Sequence, residues 1–400
     1  MKVIADQKTC NCRICGALLG EPEVILNNMP LTDGFVEVDD LSSSEFIKDI
    51  LIYECKKCGF VQNPVDFSYA DYYKDYNYSS GHSEFTKMFF DRYAEIMSEL
   101  YLKANGSKAK SVIEAGSGDG VQLMSFKKIG YEVLGIEPSD YLVKVSNDSG
   151  IKTELKLFDT DLPIENSFDV CISSYTFDHM PDPIDYLRTA HKVLSDGGLV
   201  AVEVHDLEKI VERTEFCLFE HEHTIYMNAD DITKLIESQG FEVISINPLD
   251  DSETRANSLL VVAKKVKNHS NPITALHTDE SFTTLNNRIK ATISKLDKWV
   301  SDLPEESPLI GYGAGGRGVM TLAAMDNFKR FSGLVDSNYE SNVYLAPKTG
   351  MPICSKKDLP KFKDGYCLIF SFGYANEITN DLLKAGFSLD NIVLLSDFYA

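Results

Sequence analysis

The stretch "SVIEAGSGDGVQLMSFKKIGYEVLGIEPSD", Ser111 to Asp140, decides the fold of this 400-residue chain. "SVIEA" is a short apolar run, the mark of a buried strand. A Gly-rich turn follows, then the helical "VQLMSFKKIG", then a second strand, "EVLGIE", ending in Glu137. Strand, turn, helix and strand make a β-α-β unit, which takes its ligand at the carboxyl ends of the strands. A dinucleotide turn requires G-x-G-x-x-G. Here Glu114, Ala115, Gly116, Ser117, Gly118, Asp119 and Gly120 read E-x-G-x-G-x-G. An acid ahead of the glycines repels a pyrophosphate and suits a cation. Glu137 stands where two ribose hydroxyls are bound.

A ligand with an amino group, a sulfonium and a ribose is S-adenosylmethionine (SAM), and the pattern is that of class I SAM methyltransferases. The expected cofactor residues are Glu114, Gly116, Ser117, Gly118, Gly120, Glu137, Pro138 and Ser174. "FDTDLP" falls where the adenine edge is held, which adds Phe158 and Asp159; an ordinary loop role is the alternative for both. Further on, Phe168 to Ser174 reads as a strand and Tyr175 to Pro183 as the loop over the cofactor, with Tyr175 and His179 facing the acceptor. Ile184 to Leu194 reads as a helix, "DGG" (Asp196 to Gly198) as a turn and "LVAVEV" as the next strand.

Upstream, "CRICG" and "CKKCG" are two C-x-x-C knuckles, Cys12 with Cys15 and Cys55 with Cys58. Two thiolates from each tight turn can share one tetrahedral metal, the usual structural zinc arrangement with no open position. A redox pair is the alternative, and the presence of two matched knuckles argues against it. Cys10 is a spare, and Cys171, Cys217, Cys354 and Cys367 read as buried, unreactive thiols. Downstream, "PLIGYGAGGRGVMTLAAM" repeats the strand, turn and helix logic without the leading acid. Arg317 beside Gly313 and Gly315 suits a phosphate, with a surface arginine on a structural turn as the alternative. The expected architecture is α/β: a class I SAM methyltransferase (Rossmann-like) core at 71–265, a small N-terminal zinc-binding domain at 1–70 and a second Rossmann-like C-terminal domain at 266–400.

The net charge is −22, which makes nucleic acid an unsuited partner. No run of about 18 apolar residues offers a membrane span, and the N-terminus lacks an apolar signal core, so a cytoplasmic location and no membrane partner are expected. No separate association element is apparent, which points to a monomer.

"LFEHEHTIYM", Leu218 to Met227, sets Glu220, His221, Glu222 and His223 side by side. By its residues alone the run is a metal site, a proton-transfer site or a solvated loop. The whole chain resembles the sugar-nucleotide C-methyltransferases, which methylate carbon 3 of dTDP-4-keto-deoxyhexoses. The resemblance lies in "CRICG…ECKKCGFVQ", "YNYSSGHS", "EHEH", "GYGAGGRG" and "APKTGMPI". It implies SAM, structural zinc, a nucleotide-linked sugar as substrate and enolate chemistry in deoxysugar biosynthesis. It further implies His223 or His221 as base, Glu222 as its orienter, and Tyr76 and His82 as donors to the carbonyl oxygen. Three positions depart from the family pattern: Glu220 replaces a tyrosine, Ser79 a histidine and Arg317 a lysine. O-methylation on the same scaffold, or binding without methyl transfer, are the competing readings.

Overall fold

The structure, a computed structural model, describes residues 10–39, 46–65, 72–73, 84–250, 253–267, 280–337, 339, 341 and 343–399. They fall into two compact units. One comprises Met1–Gly20, Cys55–Leu207 and Thr224–His277; the other Glu21–Glu54, Glu208–His223 and Thr278–Ala400.

The first unit is built on a seven-stranded sheet. Its strands are β1 (Ser111–Ala115), β2 (Glu132–Glu137), β3 (Thr153–Leu155), β4 (Phe168–Ser174), β5 (Leu194–His205), β6 (Phe241–Ile246) and β7 (Ser258–Lys265). The spatial order is β6-β7-β5-β4-β1-β2-β3, with β7 alone antiparallel: it pairs antiparallel with both β5 and β6, so β6 runs in the same direction as the other strands. This is the expected class I core. Parallel strands are covered on both faces, which explains their near-continuous apolar runs. Helix α1 (Glu84–Asn105) buries Phe89, Phe90, Tyr93, Ala94, Met97 and Tyr101, residues spaced along one helical face, in a core shared with Val112, Val170, Ile172, Leu199 and Ala201. The chain reverses at β1 between its β2 and β4 neighbours, so the Gly-rich turn opens at the switch point.

Two further helices of this unit have legible starts. Ser139 accepts from the Leu142 amide at α2 (Asp140–Asp148), and Asp182 accepts from Ile184 and Asp185 ahead of Pro183 at α3 (Pro183–Val193). One local expectation is corrected. Asp196 to Gly198 does not form a turn before the fifth strand but lies inside β5, where the β4–β5 register shifts and Gly197 takes φ +77°. A bulge absorbs the glycines without ending the strand.

The second unit has its own sheet. Strands β8 (Leu309–Tyr312), β9 (Leu334–Asp336), β10 (Tyr344–Ala346), β11 (Met351–Ser355), β12 (Tyr366–Ile369) and β13 (Ile392–Leu394) run in the order β13-β12-β8-β9-β11-β10, followed by the short strand Val36–Glu37. The first five of that order are parallel, as a Rossmann-like unit requires. Helix α4 (Gly316–Ala324) follows the glycine turn. The hairpin Val24–Pro30 with Ile47–Glu54, and the segment holding the EHEH run, belong to this unit.

Candidate active site

The four knuckle cysteines converge in the first unit. Sγ of Cys12 lies 3.5 Å from that of Cys58, and Sγ of Cys15 lies 3.6 Å from that of Cys55; all four lie within 4.8 Å of one another. Sulfurs around a tetrahedral ion with bonds of about 2.3 Å stand roughly 3.8 Å apart, so the set fits a metal. Each knuckle closes through its glycine, the Gly16 amide donating to the Cys12 carbonyl and the Gly59 amide to that of Cys55. The Cys58 contact and the Gln62 amide push the Cys12 thiol well below its ordinary range, while the same contact and burial push the Cys58 thiol above its own, so the two sulfurs share one proton.

The turn after β1 forms a cradle. Gly116 has φ +65°, and a Cβ there would stand 2.5 Å from the Thr176 side chain, so the loop after β4 closes directly on the turn. Gly118, at φ +53°, has open space where a Cβ would be. Glu137 accepts from the Gly118 amide at 2.9 Å and the Ser139 amide at 2.9 Å, which locks the turn to the end of β2. Glu114 is 3% exposed, and its Oε2 has no hydrogen-bond partner. Burial, then Asp119 and Glu137, push its carboxyl well above the ordinary range. Arg255 offsets only part of this, and a buried carboxylate with one oxygen unpartnered beside two other acids is complemented by a cation, a need that the ammonium of SAM fits. Ser117 and Ser174 also present buried hydroxyls without partners. Phe158 is buried against Tyr186, rings 5.1 Å apart, while Asp159 accepts from the Asp161 amide. Pro138 joins β2 to the Ser139 cap.

Tyr175, at φ +49°, stacks on His205 at 4.3 Å and carries the Arg255 guanidinium at 4.4 Å. His179 Nδ1 meets the Tyr73 hydroxyl at 2.8 Å. Tyr76 and His82, together with Ser79, lie outside the described residues.

In the second unit the EHEH run is buried, with exposures of 8, 1, 1 and 4% from Glu220 to His223, which excludes a solvated loop. His223 Nδ1 lies 2.9 Å from the Leu218 carbonyl. A carbonyl only accepts, so Nδ1 carries the ring proton and Nε2 is the basic nitrogen. Glu220 Oε2 lies 4.0 Å from that Nε2, and burial pushes the Glu220 carboxyl up to about 8 against the pull of His223. Glu222 Oε1 accepts from the Thr32 hydroxyl at 2.8 Å and the Thr32 amide at 3.1 Å, and its charge also acts on His221. His221 donates from Nε2 to the Met29 carbonyl at 3.1 Å and is held neutral by its own burial, although Glu222 opposes that.

The second glycine turn is a G-x-G-x-x-G, a pattern the expectation passed over. Gly313 turns at φ +106°, Gly315 has open space at its Cβ position, and a Cβ on Gly318 would meet the Gly313 carbonyl oxygen at 2.0 Å. Tight turn, open approach and close helix packing are the three glycine roles of a nucleotide turn. Asp336, at the end of β9, accepts from the Ala314 amide at 2.9 Å, as Glu137 does in the first unit. The distance from glycines to acid was a usable signal. Arg317 reaches Glu215 at 3.8 Å and lies over the Phe372 ring at 5.0 Å. A cavity of about 520 Å³ opens beside them, lined by Arg213, Glu215, Phe372 and Tyr399 among others.

Glu220 occupies the space of a side chain at Gly316: a Cβ there would stand 2.3 Å from Oε1. Alanine in a helix ordinarily stabilises by about 1 kcal/mol over glycine. Here overpacking, at about 1–3 kcal/mol, opposes that gain. Gly316→Ala is expected to lower the melting temperature, and Gly316→Ala with Glu220→Ala to recover it relative to Glu220→Ala alone. Thermal unfolding of the four proteins checks this.

A Gly-rich turn between two acids, at the switch point of this sheet, defines a SAM-dependent methyltransferase. Residues 87–246 match the family model described as "Methyltransferase domain". Residues 12–71 match "Putative zinc binding domain", and residues 255–386 match "C-methyltransferase C-terminal domain". The chain is similar to C-methyltransferase NovU of Streptomyces niveus, 23% identical over 92% of this chain and 91% of the relative. An uncharacterized methyltransferase of Staphylococcus carnosus is 28% identical over 34% of this chain and 70% of its own length. The ubiquinone biosynthesis O-methyltransferase of Vibrio cholerae is 23% identical over 38% of this chain and 70% of its own length. The protein is a SAM-dependent methyltransferase. Along its length it follows the three-part plan of the C-methyltransferases. Among the described residues, no helix is long and apolar enough to cross a membrane.

Proposed function

We propose that the protein methylates a carbon atom of a nucleotide-linked keto-sugar through an enolate, with a structural zinc ion on Cys12, Cys15, Cys55 and Cys58. The observation that carries the reading is the buried His223, its Nε2 left basic by the Leu218 carbonyl and set beside Glu220. SAM, when bound, supplies a methyl group on a positively charged sulfur. An oxygen nucleophile needs little more than alignment, whereas a carbon nucleophile first needs a proton removed beside a carbonyl. A buried imidazole with one defined basic nitrogen suits that task. The nucleotide is assigned to the turn Gly313–Gly318 with Asp336 on the sugar hydroxyls. Arg317 stands beside it, already engaged with Glu215.

The test is incubation with dTDP-4-keto-deoxyhexoses in deuterated water, read by mass spectrometry. A 14-Da gain with SAM, and deuterium entry beside the ketone without it, are expected. Absence of both, with SAM still bound, overturns the reading. O-methylation is the second reading, supported by the O-methyltransferase match to the core. It predicts the mass gain with no exchange.

The zinc assignment has its own check. Metal analysis of the purified protein is expected to find one zinc per chain, and Cys55→Ser to lose it. Because Cys55 is 1% exposed in a small metal-stapled region, that variant should also become sensitive to proteolysis near its N-terminus. A protein that purifies without metal and resists proteases equally well would remove the zinc from the assignment.

A further inference from the structure

Enolate chemistry needs a donor at the carbonyl oxygen as well as a base at carbon. We infer that His205, oriented by Asp178, is that donor; this rests on the keto-sugar reading. His205 is the last residue of β5, at the carboxyl edge of the cofactor sheet, where strand ends carry functional side chains. Its Nδ1 lies 2.9 Å from Asp178 Oδ2, and its amide reaches the same oxygen at 3.5 Å. Asp178 is 2% exposed.

A carboxylate only accepts, so Nδ1 carries a proton and Nε2 points away from the pair. A buried carboxylate in contact also favours the imidazolium, in which Nε2 is a second donor. The arrangement is rigid. The Tyr175 ring stacks on the imidazole, and Arg255 closes the far face of Tyr175 while pairing with the buried Glu203, which also accepts from Ser258 at 2.7 Å. Thr224 donates from its amide to the Asp178 carbonyl at 2.7 Å and pins that loop from the other side.

The placement is also right for the cofactor. Thr176, between Tyr175 and Asp178 in the chain, is the residue packed on Gly116 of the SAM turn. The His205 side chain keeps 16% of its surface exposed.

The step balances. A base takes the proton from carbon, the C–H electron pair becomes the enolate double bond, and the carbonyl oxygen takes the Nε2 proton. On methyl transfer that proton returns to Nε2 as the ketone re-forms. The carbon's proton leaves with the base.

The experiment measures deuterium exchange beside the ketone without SAM for wild type, His205→Ala, His205→Gln and Asp178→Asn, with SAM affinity as the control for folding. His205→Ala should lose about 100-fold or more in exchange rate while binding SAM normally, and added imidazole should restore part of it. Asp178→Asn should lose less. Unchanged exchange in His205→Ala, or a loss that imidazole leaves untouched, overturns the inference.

Nitrogen NMR of labelled histidine supplies an arm that needs no substrate. In wild type both ring nitrogens of His205 should be protonated at neutral pH, and Asp178→Asn should remove the Nε2 proton. A neutral His205 in wild type sinks the donor role. If wild type exchanges no keto-sugar, the keto-sugar reading fails by itself and His205 as carbonyl donor fails with it. A protonated His205 would then leave only the dyad established.

Discussion

Glu114→Gln weakens SAM binding by about 30- to 4,000-fold, the range expected when one partner of a desolvated charge pair, worth about 2–5 kcal/mol, is neutralised. The carboxyl is buried with one oxygen unpartnered, and its neighbours Asp119 and Glu137 raise its proton affinity further. In the free protein it therefore tends to hold a proton. A cation arriving at Glu114 favours the carboxylate, so binding expels the proton and affinity rises with pH until the free-state carboxyl is itself ionised. Calorimetry in buffers of different ionisation enthalpy reads that proton directly, and Glu114→Gln should release none. Stability moves the other way. A carboxyl whose folded-state pKa lies above its unfolded value favours folding at low pH, and that contribution is lost as pH rises from the ordinary carboxylate range towards the folded value. The ligand-free Glu114→Gln protein should therefore be more stable than wild type at neutral pH. Equal SAM affinity in the two proteins would remove Glu114 from the cofactor site.

His223→Ala lowers both deuterium exchange and carbon methylation by about 100- to 10,000-fold with SAM affinity unchanged, the usual effect of removing a general base. Glu220→Gln is the informative companion. Burial holds the Glu220 carboxyl up to about 8, so near neutral pH it is mainly protonated, and it ionises 4.0 Å from the basic Nε2 as pH rises further. A carboxylate there stabilises the imidazolium and withholds the free base. Wild-type exchange should therefore change slope near pH 8, and Glu220→Gln should lose that inflection. Glu222→Gln tests a different link. Its Oε1 accepts from Thr32, so it should cost about 1–3 kcal/mol of stability for a buried charged hydrogen bond, and because its charge helps raise Glu220 it should also move the inflection to lower pH without removing it. A profile identical in wild type and Glu220→Gln would show that the two groups do not share a proton equilibrium.

The cofactor core was legible because its signals are local. An apolar run, a glycine turn and a terminal acid lie within Ser111–Asp140, and backbone sterics with alternating burial turn that order into β1, a helix and β2 wherever the unit is placed. The knuckles were legible for the same reason, since C-x-x-C-G encodes one turn and its ligand spacing. The second glycine turn was only half read: its glycines were seen, but Asp336, some 20 residues on, was not counted with them. The EHEH run was ambiguous because four ionisable residues look the same in water and in a core. Its burial, the neutral His221 under Met29 and the capture of Glu222 by Thr32 depend on Glu21–Glu54 and Glu208–His223 joining one unit with the C-terminal residues. The pairing of Asp178 with His205, and of Glu220 with Gly316, likewise joins residues 27 and 96 positions apart. By itself the sequence determined the class of fold, the glycine turn between its two acids and the pair of C-x-x-C knuckles, each written within one turn or one β-α-β unit. The tertiary structure alone decided which imidazole nitrogen is basic and which carboxyl keeps its proton, because desolvation and hydrogen-bond partners are properties of the packed neighbours.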